Sequence, residues 1–117
     1  MKKINVLMLA LLAAGWSLNA LAESQIEAGK VAVAKANCAA CHGADFHSPV
    51  DPAYPKLAGQ HKDYLAHALT AYRRGKGGPN SRSNPIMEPI AKNLSDQDIS
   101  NIAAYLHSLP GPLVLRK

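Results

Sequence analysis

The chain has 117 residues, 48% of them hydrophobic, with 13 basic residues against 8 acidic ones and a net formal charge of +5. That length holds one small domain, of a size that often draws part of its stability from a disulfide, a metal or a cofactor. The positive excess is mild and spread along the chain, which argues against a nucleic-acid-binding surface.

The first residues read as an address. Lys2 and Lys3 form a charged start, Val6 to Ala14 is an apolar run, and Ala20-Leu21-Ala22 gives the small-x-small pattern of a cleavable export signal. Cleavage is expected after Ala22, leaving one domain over residues 23–117. The rival reading is an uncleaved anchor, because Ile4 to Ala22 is nearly long enough to span a bilayer. Gly15, Ser17 and Asn19 interrupt that stretch and favour cleavage. Removing residues 1–22 leaves 11 basic residues against 8 acidic ones.

Ser24-Gln25-Ile26-Glu27 has the form of a capping box and predicts a helix running to about Ala36, with Ala28, Val31, Ala32 and Lys35 inward and Gly29 on a neighbouring face. Residues 43–59 carry Pro49, Pro52 and Pro55 and predict a long wrapping loop. Tyr64, Leu65, Ala68, Leu69 and Tyr72 share one helical stripe, with Arg73 and Arg74 in the last turn and Gly75 as the stop. Tyr64 and Tyr72 are expected in the core. Residues 76–93 hold Gly77, Gly78, Pro79, Pro85 and Pro89 and predict irregular chain around Ile86-Met87-Glu88. Ser95-Asp96-Gln97-Asp98 opens a last helix with Ile99, Ile102, Ala103 and Leu106 on one face, ended by Pro110. No strand pattern is present, so the fold class is all-α with long loops.

Both cysteines of the chain lie in Cys38-Ala39-Ala40-Cys41-His42. At this C-x-x-C-H spacing two thiols can add to the vinyl groups of one haem while the next imidazole reaches its iron. A Cys38–Cys41 disulfide, a thioredoxin-like pair and a zinc site are the alternatives. The redox pair lacks its βαβ setting, and zinc would need further ligands from His47, His61, His67 or His107. A low-spin carrier needs a second axial ligand. Met1 and Met8 leave with the signal, so Met87 is the one methionine of the processed chain, and its Pro-rich loop is an unusual place for a packing residue. His47, His61 and His67 are weaker substitutes.

The order of these features resembles the class I cytochrome c family, and most nearly its short bacterial c4, c5 and c553 types. The resemblance rests on CAACHGAD at 38–45, PKLAGQ at 55–60, YL at 64–65, NPIM at 84–87 and LSDQDISNIAAYLHSL at 94–109. It implies three or more helices wrapped around one covalent haem, contact between Gly29 and Tyr105 where the first and last helices cross, and Pro55 behind His42. Arg82 and Asn84 fit either a solvated loop or a role beside a haem propionate or the ligand loop. The c4 proteins carry two such domains, whereas this chain has one C-x-x-C-H and is expected to bind one haem.

The function implied is that of a periplasmic one-electron carrier, not an enzyme, cycling Fe(II) and Fe(III) between a donor dehydrogenase or cytochrome complex and an acceptor oxidase or reductase. Transient contacts, a monomer, no nucleic acid and no stable membrane insertion are expected, with Lys56, Lys62 and Lys76 available to orient acidic partners. The alternatives are a small-ligand sensor or peroxidase-type enzyme, if Met87 does not ligate iron, and a haem subunit held permanently in a larger complex.

Overall fold

The computed structural model describes the backbone of residues 2–112 and the side chains of residues 18–112. Its helices are α1 (Lys2–Lys35), α2 (Ala39–His42), α3 (Lys62–Arg74), α4 (Met87–Lys92) and α5 (Asp96–Ser108), with no strand among the described residues. The all-α expectation holds. None of the described helices is long and apolar enough to cross a membrane. The side chains of Lys2, Lys3 and the Val6–Ala14 run lie outside the described set.

The helical backbone runs unbroken past Ala22, so Ser24 lies inside α1 and does not open a helix. Because the helix is continuous there, preceding residues supply the carbonyls that satisfy the N–H groups a Ser24 cap would have taken. The inward face of α1 also differs from the predicted one. Gly29, Ala32 and Val33 are buried, whereas Ala28 and Lys35 are exposed and Val31 is 63% exposed.

Gly29 decides which face turns inward. A Cβ at that position would lie 2.1 Å from the Asn101 carbonyl oxygen and 2.6 Å from the Tyr105 Cβ, so α1 and α5 touch there backbone to backbone. Only glycine permits that approach, and the crossing rotates Val31 out to solvent. Around it, Ala32, Val33, Phe46, Ala58 and Leu65 form one core with Ile102, Ala103 and Leu106 of α5. The Phe46 ring meets Tyr105 edge-on at 6.2 Å.

α5 starts as predicted. The Ser95 hydroxyl oxygen accepts from the Asp98 N–H at 3.0 Å, and the Asp98 carboxylate accepts from the Ser95 N–H at 2.9 Å. α3 also runs as predicted into Gly75, whose φ of 63° lies in the left-handed region. Its tyrosines, however, are not core residues: Tyr64 is 49% exposed and Tyr72 is half-buried. They flank the Arg82 guanidinium instead, at 5.4 and 5.6 Å from their ring centroids, in cation–π contact.

Residues 87–92 form a short helix where irregular chain was predicted. Pro89 is compatible with it because it sits in the first turn, where no intrahelical partner is needed for the missing N–H. Long polar side chains then tie the helices together. Gln25 donates to Ser100 Oγ at 2.9 Å and accepts from Lys62 Nζ at 3.1 Å, linking α1, α5 and α3. Arg73 donates to the Leu94 carbonyl and pairs with Asp96, fastening the end of α3 to the start of α5.

Candidate haem-binding site

α1 ends at Lys35, and Asn37, a non-glycine residue with φ of 54°, turns the chain directly into the C-x-x-C-H segment. The Cys41 and His42 N–H groups both donate to the Cys38 carbonyl, at 3.3 and 3.1 Å, and Gly43 donates to Ala39 at 3.0 Å. These bonds wind residues 39–42 into one helical turn. At three-residue separation the two thiols share a face of that turn. Both are free and half-buried, not joined in a disulfide. Burial pushes the Cys38 thiol up, with the neighbouring Cys41 adding to the rise against an opposing backbone hydrogen bond. A thioredoxin-like nucleophile needs the opposite shift, so this environment disfavours that alternative.

Gly43 lets the following loop fold back: a Cβ there, at φ of +85°, would lie 2.1 Å from the Ser48 carbonyl oxygen. Asp45 holds the return by accepting from the His47 and Ser48 N–H groups at 2.9 and 2.8 Å, bonds that lower its carboxyl below the ordinary value. Val50 then donates to the Cys41 carbonyl. The loop is thereby sewn to the cysteine turn.

His42 is 6% exposed, and its Nδ1 lies 2.9 Å from the Pro55 carbonyl oxygen. A carbonyl can only accept, so Nδ1 carries the proton and Nε2 keeps its lone pair for another partner. The placement of Pro55 behind His42, implied by family resemblance, is what the geometry has. The carbonyl is held by its surroundings. Asp51 caps the preceding bend by accepting from Ala53 and Tyr54, and the Leu57 and Ala58 N–H groups both donate to the Phe46 carbonyl at 2.8 and 2.9 Å.

Met87 is half-buried at the first residue of α4. Asn84 Oδ1 accepts from the Ile86 and Met87 N–H groups, both at 2.9 Å, while its carbonyl accepts from Glu88 N–H at 3.0 Å. The Glu88 carboxylate reaches back to the Asn84 N–H at 3.1 Å. Sequence reasoning weighed Asn84, with Arg82, between a solvated loop and a role beside a haem propionate or the ligand loop. The signal was present in Asn-Pro-Ile-Met, since an asparagine side chain readily accepts from N–H groups two and three residues on and so initiates a turn.

The substitute histidines are placed differently. His61, just before α3, and His67, on it, are exposed, and His47 is half-buried in the returning loop, its Nδ1 without a hydrogen-bond partner. His107 is bound to the Gln60 carbonyl at 2.8 Å. Among the described residues no cluster of three or more His, Cys, Asp or Glu could hold a metal ion. Of the proposed docking lysines, Lys56 and Lys76 are exposed, but Lys62 is engaged by Gln25. A groove of about 400 Å³ lies between α1, α4 and α5 and another of about 660 Å³ beside α3, and neither includes Cys38, Cys41, His42 or Met87.

Residues 26–110 match the family model for cytochrome c. The chain is 38% identical over 115 residues to a cytochrome c4 of Stutzerimonas stutzeri, covering 95% of this chain and 52% of that one. It is 47% identical over 73 residues to cytochrome c-554(548) of Halomonas halodenitrificans, covering 61% of this chain and 82% of that one. A protein named thiosulfate dehydrogenase electron acceptor, from Stutzerimonas stutzeri strain A1501, is 43% identical over 75 residues, 64% of this chain and 32% of its own. Against the longer relatives the chain thus spans between a third and a half of their length.

Proposed function

The chain belongs to the cytochrome c family, in its class I c4 group, and from that premise we propose that residues 23–117 work as a one-electron carrier with a single covalent haem c. Cys38 and Cys41 would hold it through thioethers, and His42 and Met87 would be the axial ligands. The observation that carries this reading is the His42–Pro55 contact, which leaves a bare Nε2 on a fixed imidazole one residue beyond two free thiols on the same turn. That donor set fits haem c. When bound, the haem supplies a one-electron Fe(II)/Fe(III) couple.

The protein's own residues do the rest. The Pro55 carbonyl fixes the His42 tautomer and strengthens its donor nitrogen. Asn84, accepting from the Ile86 and Met87 N–H groups, would steady the Met87 thioether at the opening of α4. Two protein ligands would close both axial positions, leaving no open site for substrate and favouring outer-sphere transfer over catalysis. Export through a signal cleaved after Ala22 would deliver the protein to the periplasm, where its partners would be redox proteins that dock transiently. A dehydrogenase donor is in keeping with the name of the thiosulfate dehydrogenase acceptor among its relatives.

Optical spectra of the exported protein in both redox states, with a pyridine haemochrome assay, test the reading. One haem per chain and the far-red thioether-to-iron band of the oxidised form are expected. Met87→Ala should abolish that band, lower the reduction potential and open the iron to carbon monoxide. If the parent protein already binds carbon monoxide at neutral pH and lacks the band, the carrier reading fails in favour of a sensor or peroxidase.

A further inference from the structure

The turn that delivers Met87 is short of intrinsic support. α4 has only six residues, far below the length at which a helix holds itself in water. Upstream, residues 76–80 are all exposed, and a Cβ at Gly77 or Gly78 would meet nothing within 4 Å. Little in that stretch can fix where Met87 begins.

We propose that Asn84, braced by Glu88, is the positioning residue of Met87 and sets how readily another donor displaces it from iron. This rests on the ligand reading above. Asn84 has the geometry for the role, because one side-chain oxygen takes the N–H of Met87 itself and of the residue before it. Pro85 favours extended backbone at Asn84, the conformation a cap residue needs, and can itself begin a helical turn at no hydrogen-bonding cost.

Glu88 closes the turn from the other side by accepting from the Asn84 N–H. Its carboxylate also packs on Gly75, where a Cβ would lie 3.0 Å from Oε2. Gly75 is the buried cap of α3, so the ligand turn is braced against the end of a longer helix. Arg82 N–H donating to the Ala71 carbonyl adds a second attachment to α3. Removing the Asn84 side chain would release two N–H groups to water and let the turn open at the residue that carries the thioether.

The test uses the haem-loaded protein and imidazole as the competing donor, titrated optically against the oxidised form, with far-UV circular dichroism to confirm folding. Asn84→Ala is expected to raise apparent imidazole affinity about five- to tenfold, the effect of losing one helix cap, and to weaken the far-red band while haem content stays unchanged. Asn84→Ser, which keeps a capping oxygen, is expected to return affinity to within about twofold of the parent. If Asn84→Ala titrates like the parent while Met87→Ala binds imidazole tightly, the positioning role is overturned and the ligand reading stands. If Met87→Ala itself keeps the parent band and affinity, both fall. Failure of serine to rescue a folded alanine variant also overturns the role. Should Asn84→Ala not fold, Glu88→Ala reads the same clip, and unchanged imidazole affinity in that folded variant counts against it.

Discussion

The orientation of the His42 ring depends on a carbonyl 13 residues further along the chain, and Pro55 itself cannot be read as a ligand partner from its side chain. That dependence explains why C-x-x-C-H could be recognised in sequence while its support could be given only by family resemblance: the partner is main-chain, and any residue type can supply a carbonyl. Arg82 shows the same limit from another direction. Tyr64 and Tyr72 fit a core stripe by spacing, yet they hold a guanidinium that lies ten residues beyond the second ring. Arg82→Ala is therefore expected to cost about 1 kcal/mol or less, because these contacts are largely exposed. Ile102→Ala, at a site 2% exposed, should cost about 2–5 kcal/mol, and paired denaturant titrations of the two variants measure the difference.

Helices α3 and α5 were legible because local chemistry fixes one end of each, by a glycine stop in one case and a reciprocal Ser95–Asp98 cap in the other. α4 was not, since Pro89 argues against helix unless it falls in the first turn, and the start of that turn is held by the Asn84 bonds to the Ile86 and Met87 N–H groups. The inward face of α1 was misjudged because hydrophobicity ranks Val31 above Gly29, whereas close approach of two backbones rewards the smaller residue. Gly29→Val is accordingly expected to be among the most destabilising single changes, with a melting temperature well below that of Val31→Ala. The α5 cap also carries a pH dependence. Hydrogen bonds from the Ser95 N–H and hydroxyl hold the Asp98 carboxyl below its ordinary value, with Lys35 adding a smaller pull. A depressed carboxylate stabilises the fold above its unfolded value and loses that contribution as pH falls through the folded one. Asp98→Ala should thus cost under about 1 kcal/mol near neutrality, given its exposure, and should draw closer to the parent as pH drops below 3.8, measured by melting across pH.

At the scale of the whole chain, family and fold class were readable, because C-x-x-C-H and the segments that follow it are local patterns of fixed spacing. The packing between helices was not, because it is decided by contacts far apart in sequence. The unbroken α1 bears on processing. Cleavage after Ala22 would leave Ser24 near a new chain end, where its capping box with Glu27 becomes available. Ser24→Ala should therefore cost about 1 kcal/mol in the processed protein and close to nothing in the unprocessed one, a contrast that thermal melts of both forms would show.

The loop carrying Pro55 is fastened from beyond. Gly59 N–H donates to the Leu106 carbonyl, and Gly111 lies so near Ala58 that a Cβ would stand 2.0 Å from its carbonyl oxygen. His107 closes on Gln60 alongside them. Time enters here, because a chain made or exported from its N-terminus presents His42 early and residues 106–111 late. The cysteine turn can wind from local bonds alone, but the loop behind the imidazole is secured only when the last helix has arrived. The ring that emerges earlier is the one whose setting is completed only after residues 106–111 have followed it.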